Sequence, residues 1–277
     1  MSVSPYQGSG SDSSAEQIDH SSDPRFFEYY ERQSASPAAM ARSRSVLHKV
    51  MKLLDCETAA SRPLHVLDIG CGAGTQCRLW AELGHTVYGL DVNRPLIELA
   101  RQRASEAGLV IQFDVGTATR LPYRDSQMDV CLAPELLEHV PDWESCLNEA
   151  SRVLGSGGVL YLSTTNALCP LQDEFNLPLY GWYPRALKRR YERLSVTTRP
   201  ELANYAKYPA VNWFTFYEIR HYLGERGLQS LDRFDMIDTE RSSPLVKAAV
   251  AMIRAAPPLR FLGHMLTRGT ALFEIRR

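Results

Sequence analysis

The chain has 277 residues, of which 44% are hydrophobic and 23% charged, and a formal net charge of −1. That length suits one large domain with extensions. The near-neutral balance excludes a global electrostatic pull toward nucleic acid or anionic lipid.

Residues 1–24 hold eight serines and few large apolar groups, which predicts a disordered tail. Residues 25–60 are expected to form N-terminal helices. A short aromatic one starts at Pro24 with Asp23 as its cap. A longer one follows Ser36-Pro37, with Val46, Leu47, Val50, Met51 and Leu54 at helical spacing. These helices either close over a ligand or cover a sheet. From residue 61 strands and helices alternate: strands at 65–69, 86–90, 109–114, 128–133 and 159–164, helices at 76–83, 94–107 and after Asp142. Gly155-Ser-Gly-Gly158 reads as the turn into the fifth strand. Such alternation predicts an α/β fold, a mostly parallel sheet with helices on both faces. Residues 166–213 break the rhythm as a lid rich in Pro, Tyr and Trp, helical over 185–194. Residues 214–277 return to the same domain, with a helix over 215–226, a strand over 228–236, two short helices over 244–266 divided by Pro257-Pro258, and a closing strand over 270–276.

The chain is organised around Leu64–Gly74, in which the apolar run Val66-Leu67-Asp68-Ile69 ends at Gly70, Gly72 and Gly74. This is a buried parallel strand followed by a tight turn whose backbone approaches a ligand, with a helix N-terminus behind it. The third glycine comes too early for a dinucleotide loop, and no G-K-[ST] follows. Asp68 inside the strand suits a ligand with a cationic part, and backbone N–H groups can hold a carboxylate. A sulfonium amino acid carries both charges.

At these residues the sequence resembles the class I S-adenosylmethionine-dependent methyltransferases over about residues 45–165 and the final strand. The resemblance implies a Rossmann-like seven-stranded sheet with an antiparallel last strand, and S-adenosyl-L-methionine as cofactor. It implies that Asp68, Gly70, Cys71, Gly72 and Gly74 surround the methionine end, and that Asp91, ending Gly89-Leu-Asp91, with Val92 beside it, takes the ribose hydroxyls. Val115–Tyr123 corresponds to the family's adenine stretch. Thr117 stands where the family usually has Asp, leaving its hydroxyl and the Ala118 N–H to face the adenine. Pro134 completes the expected cofactor contacts.

Directly after the fourth strand comes Pro134-Glu-Leu-Leu-Glu-His-Val-Pro-Asp142. On a helix, Glu135 would share a face with Glu138 and His139. Two carboxylates and an imidazole can bind Mg²⁺ or another divalent ion. This E-x-x-E-H pattern is similar to that of ubiquinone-biosynthesis O-methyltransferases and of small-RNA 2′-O-methyltransferases, where the resemblance implies metal ligands. The alternative is a set without metal, with His139 as general base or as a packed helix-terminal residue. In the lid, Tyr180, Trp182, Tyr183, Tyr205, Tyr208 and Trp213 either wall an apolar acceptor or form a small satellite core. The basic run 185–193, with five bases and one acid, and the basic-apolar segment 244–266 are either solvated faces or a peripheral membrane contact.

The six cysteines form no C-x-x-C pair, which predicts reduced thiols and a cytoplasmic setting, at most peripheral to a membrane. The N-terminus lacks the basic-then-apolar order of a signal peptide, and no apolar run approaches the ~20 residues needed to span a bilayer. The expected activity is methyl transfer to an oxygen of a small molecule, such as a lipophilic phenol, a quinone precursor or a lipid- or sugar-linked intermediate. An RNA methyltransferase is the first rival, weakened by the neutral charge. A non-catalytic cofactor-binding module is the second.

Overall fold

Short runs rich in aliphatic residues, buried on both faces at the centre of the sheet and partly exposed in the edge strand, become five parallel strands in the computed structural model, which describes residues 32, 34, 36–54, 62–172, 174–203, 210–240 and 242–276. In chain order the elements are α1 (Pro37–Leu53), β1 (His65–Ile69), α2 (Thr75–Glu82), β2 (Thr86–Asp91), α3 (Arg94–Glu106), β3 (Gln112–Val115), β4 (Met128–Pro134), a single 3₁₀ turn (Leu137–His139), α4 (Trp143–Val153), β5 (Leu154–Thr165), α5 (Arg185–Thr197), α6 (Phe216–Gly224), β6 (Leu228–Asp232), α7 (Pro244–Ala255), α8 (Pro257–Met265) and β7 (Gly269–Arg276). The sheet order is β3-β2-β1-β4-β5-β7-β6. β7 runs antiparallel to both neighbours, so the expected seven-stranded sheet with an antiparallel last strand is present. The predicted tail and the aromatic helix from Pro24, with Tyr205 and Tyr208 of the lid, lie outside the described residues.

Alternation along the strands sends side chains to two cores. Leu67, Cys131, Leu160 and Leu162 face α4 and α6. Val66, Val130, Leu132 and Tyr161 face α1, α2 and α3. Each fully buried Leu or Ile side chain contributes roughly 1.5–3 kcal/mol, and these two layers hold the strand ends in register. Val50 and Leu54 are buried against the second core, with Val46, Leu47 and Met51 packed on it. The long N-terminal helix therefore covers the sheet. The residues before it reach farther, where the Ser34 carbonyl accepts a hydrogen bond from the Thr75 hydroxyl at 2.9 Å, at the start of α2.

Several expected boundaries shift for local reasons. Gly155-Ser-Gly-Gly158 lies inside β5, not in a turn before it. The strand pair slips register between Met128 and Val130, and a Cβ at Gly158 would meet the Asp129 and Gly155 carbonyls at 2.9 Å. The glycines thus form a bulge that lets β5 start early. β6 stops at Asp232 because that carboxylate accepts the N–H groups of Phe234 and Asp235, turning the chain away. β3 begins three residues later than expected, at Gln112. The two C-terminal helices break at Pro257-Pro258 as expected. Cys71, Cys77, Cys131, Cys146 and Cys169 are buried free thiols.

Candidate active site

Because β3, β2, β1 and β4 are adjacent and parallel, their carboxyl ends form one continuous rim, the place where open α/β sheets bind ligands. The glycine loop occupies the centre of that rim. Gly70, Gly72 and Gly74 have φ of 76°, 51° and 75°, which residues with a Cβ adopt only under strain. The Gly70 and Cys71 N–H groups donate to the Leu90 carbonyl, at 2.7 and 3.1 Å, tying the loop to the end of β2. A Cβ at Gly72 would meet nothing within 4 Å, so this glycine faces open space. A Cβ at Gly70 would lie 2.9 Å from Leu136 Cδ1, which is the contact between the loop and the segment after β4.

The two donor-side acids are held differently. Asp68 is 2% exposed. One carboxylate oxygen accepts a weak bond from Cys77 Sγ at 3.5 Å, and the other has no partner. Burial pushes its pKa up to about 7, with the Asp91 charge adding to the effect. A cationic group brought beside Asp68 would reverse that shift. The half-buried Asp91 accepts N–H bonds from Gly72 and Asn93, both at 2.8 Å. Burial raises its pKa against those bonds. Each oxygen keeps a lone pair, so the side chain is fixed in direction while able to take hydroxyl donors. Val92 follows it at the β2 end, and Ala118 is buried beyond β3. Thr117 departs from the simple expectation. Its oxygen accepts the Thr119 N–H at 3.0 Å and pairs with the Thr119 hydroxyl at 2.6 Å, so it closes a local turn.

Beyond β4 the structure replaces the expected helix with an irregular turn. Pro134 ends the strand, and Glu135 takes φ of 50°, its N–H donating to the Ser163 carbonyl at 2.8 Å. One 3₁₀ turn then carries Glu138 inward. Glu138 is fully buried and accepts from the Thr164 hydroxyl at 2.7 Å through one oxygen, while its second oxygen has no partner. Burial, reinforced by the Glu135 charge, holds its pKa well above the usual carboxylate range. The turn is clamped from the far end of the lid: Val211 and Asn212 donate N–H bonds to the Glu138 carbonyl, and Asn212 Nδ2 donates to the carbonyls of Leu137 and Val140.

Three carboxylates meet here. Glu135, Glu138 and Glu174 each offer an oxygen within 4.8 Å of the others. His139 is half-buried on the same turn but is not one of the three. Glu174 is absent from the sequence reading, although Asp173 and Glu174 are the only acids between 166 and 191 and so were a visible signal. Tyr180 and Phe175 stack at 4.2 Å in a satellite core joined by Tyr183 and Trp213. Trp182 is exposed, with Nε1 donating to the Leu168 carbonyl. Tyr180, Tyr183 and Trp213 therefore build the lid's own core.

Residues 67–162 match the family described as a methyltransferase domain. Over those residues the match, the sheet order and this rim are those of an S-adenosylmethionine-dependent methyltransferase domain. Among curated proteins the chain is 33% identical over 165 residues to the ubiquinone biosynthesis O-methyltransferase of Brucella anthropi, covering 56% of this chain and 64% of the relative. It is 37% identical over 103 residues to the protein of the same description from Chelativorans sp., covering 37% and 41%. The chain thus spans less than two thirds of these relatives' length. Among solved structures, the magnesium protoporphyrin IX methyltransferase of Synechocystis PCC 6803 with bound SAH has a TM-score of 0.55 at 14% identity, over 92% of this chain and 95% of that one. A putative sarcosine dimethylglycine methyltransferase from Galdieria sulphuraria has a TM-score of 0.53 at 19% identity, over 90% and 91%. These two establish a shared fold.

Proposed function

We propose that the protein transfers a methyl group from S-adenosylmethionine to an oxygen of a small, lipophilic phenol or catechol-like acceptor. The observation that carries this reading is the adjacency of two differently prepared sites: Asp68, Asp91 and the glycine loop at the ends of β1 and β2, and the Glu138–Thr164 pair at the ends of β4 and β5. The curated relatives named for ubiquinone biosynthesis support the acceptor class.

On the donor side, Asp68 faces the sulfonium amino acid and Asp91 accepts the ribose hydroxyls, with Gly72 giving backbone access. Ala118 and the Thr117 turn border the adenine. In the transfer, the acceptor oxygen attacks the methyl carbon in line with the departing sulfur. The C–S bond breaks as the O–C bond forms, leaving neutral S-adenosylhomocysteine and releasing the hydroxyl proton. The protein's task is alignment and removal of that proton. His139, half-buried on the turn beside Glu138, is assigned to orient the hydroxyl and receive the proton.

The oxygen-rich donor set and the orphaned buried oxygen of Glu138 fit a hard divalent ion such as Mg²⁺. Glu135 and Glu138 would hold it; His139, the third ligand of the E-x-x-E-H reading, is not in the carboxylate group and keeps the proton role. Such an ion lowers the pKa of a bound hydroxyl.

An apolar acceptor also gives meaning to the exposed side chains of α7 and α8, where Leu245, Met252, Phe261 and Leu262, with Leu266 just past α8, face outward in the same segment as Lys247. We assign them to peripheral contact with an anionic membrane, together with the basic helix α5. Among the described residues no helix is long and apolar enough to cross a membrane.

The test is incubation with methyl-labelled S-adenosylmethionine and a panel of prenylated catechols, carboxylic acids and RNA, read by mass spectrometry. Label on a catechol oxygen is the expected result. Label confined to RNA, or none with bound cofactor, overturns it.

A further inference from the structure

The acidic group at the end of β4 poses an electrostatic problem. Three carboxylates with oxygens within 4.8 Å of one another repel strongly if all are ionised, and one of them, Glu138, is wholly removed from water. Thr164 satisfies one Glu138 oxygen, and the other is buried with no hydrogen-bond partner on a carboxylate that belongs to the group. A buried acceptor left in this way requires either a proton or a cation. The third carboxylate comes from a distant segment. Glu174 adjoins Phe175, which is buried and stacked on Tyr180, so the satellite core fixes where Glu174 reaches. Gln172 reinforces this by bonding the Phe175 backbone at both its N–H and its carbonyl, each at 2.7 Å.

We propose that Glu174, carried by the segment after β5, joins Glu135 and Glu138 as the third carboxylate of a divalent-cation site, so that a bound ion ties this segment to the end of β4. The inference rests on the cation-assisted reading of the rim and deepens it, with Glu174 in the place the E-x-x-E-H pattern gives to His139. All three ligands are hard oxygen donors, which selects Mg²⁺ or Mn²⁺ over ions that prefer imidazole or thiolate. Both ions take six ligands, so three carboxylates leave positions for two neighbouring acceptor oxygens and water. The lid is then held at two points: Asn212 on the carbonyls around the 3₁₀ turn, and Glu174 through the ion. The first point is permanent and the second depends on the ion. Acceptor entry and ion binding therefore become one event, and the proton role remains with His139.

The experiment uses the full chain with Mn²⁺ alone, titrated by electron paramagnetic resonance without cofactor or acceptor, and with Mg²⁺ as competitor. Trypsin cleavage within the Arg185–Arg193 helix is followed in parallel. The expected result is one Mn²⁺ site that Mg²⁺ displaces, weakened at least tenfold by Glu174→Gln and by Glu138→Gln and less than twofold by His139→Gln. Mg²⁺ should slow cleavage in the wild-type chain but not in Glu174→Gln. Unchanged S-adenosylmethionine affinity in Glu174→Gln, read by calorimetry, shows that the variant is folded. Loss of the site in His139→Gln with Glu174→Gln unaffected overturns the proposal while leaving the methyltransferase reading intact. Failure of the wild-type chain to bind Mn²⁺ while it still binds S-adenosylmethionine has the same two meanings. A chain that binds the ion but not the cofactor removes the methyltransferase reading instead.

Discussion

The hydrogen bonds that shape the glycine loop reach no farther than the end of the next strand: Gly70 and Cys71 to Leu90, Gly72 to Asp91. On the acceptor side the partners are 26 to 75 residues apart, Glu138 with Thr164 and Asn212 with Leu137. The donor rim is thus a local structure that any chain with this strand-loop-helix can build. The acceptor rim exists only when β4, β5 and both ends of the lid are assembled. On the proposed function, acceptors could then change through the lid while the glycine-loop side stays as it is.

That contrast can be broken by substitution. The largest effect is expected from Glu138→Gln, which keeps the shape and the Thr164 bond but removes the carboxylate that could ionise against a cation. Its kcat/KM should fall by roughly 100-fold or more, with cofactor affinity within twofold by calorimetry. A matching loss of cofactor affinity would mean that the two rims are not separable.

Asp91→Ala comes next. Cofactor affinity should fall at least tenfold, ~1.4 kcal/mol, since the variant loses both the ribose acceptor and the anchor of the Gly72 N–H. An unchanged affinity would remove Asp91 from the ribose.

A smaller effect sharpens the role of Asp68. Its folded-state pKa of about 7 lies above the ordinary carboxylate value, so ionisation opposes folding. The part of apo stability contributed by neutral Asp68 is full below the ordinary carboxylate range and is lost as pH rises through about 7. Cofactor binding runs the other way, because the sulfonium favours the ionised form. Affinity should rise severalfold as pH passes from 6 to 8 and level off above. Asp68→Asn should flatten that profile and raise the apo melting temperature at pH 8. A flat wild-type profile would place the sulfonium elsewhere.

The smallest effect on the fold is expected on the outer face of α8. Phe261→Ser with Leu262→Ser should change stability by less than about 0.5 kcal/mol, as for other exposed positions. It should also lower sedimentation with vesicles of anionic phospholipid. Equal sedimentation would leave these helices without a membrane role.

The legibility of the sequence follows the same division. Val66–Gly74, Asp91 and the order of strands could be read because each depends on a contiguous pattern of apolar residues and glycines. The glycine bulge in β5 could not, since Gly155–Gly158 looks the same whether it turns the chain or lies in a strand, and only the Met128–Val130 register slip decides. The helical spacing suggested for Glu135, Glu138 and His139 gave way to a strained Glu135 and a 3₁₀ turn. What holds that turn is Asn212, 72 residues from Val140. Glu174 stands out as one of two acids in its stretch, but nothing local says that an acid in a Pro- and Tyr-rich lid will meet the end of β4.

Leu136 Cδ1 fills the space where a side chain at Gly70 would begin. The glycine loop and the turn that carries Glu135 and Glu138 are therefore cast against each other like two halves of a mould. For protein engineering this sets a grafting rule. A turn transplanted from another methyltransferase must bring a residue of leucine's size at position 136. A smaller one leaves a void under the glycine loop, and a larger one pushes that loop out of its left-handed path. Swaps of the lid beyond residue 168 are free of that constraint, so acceptor range is best diversified there, with position 136 held constant.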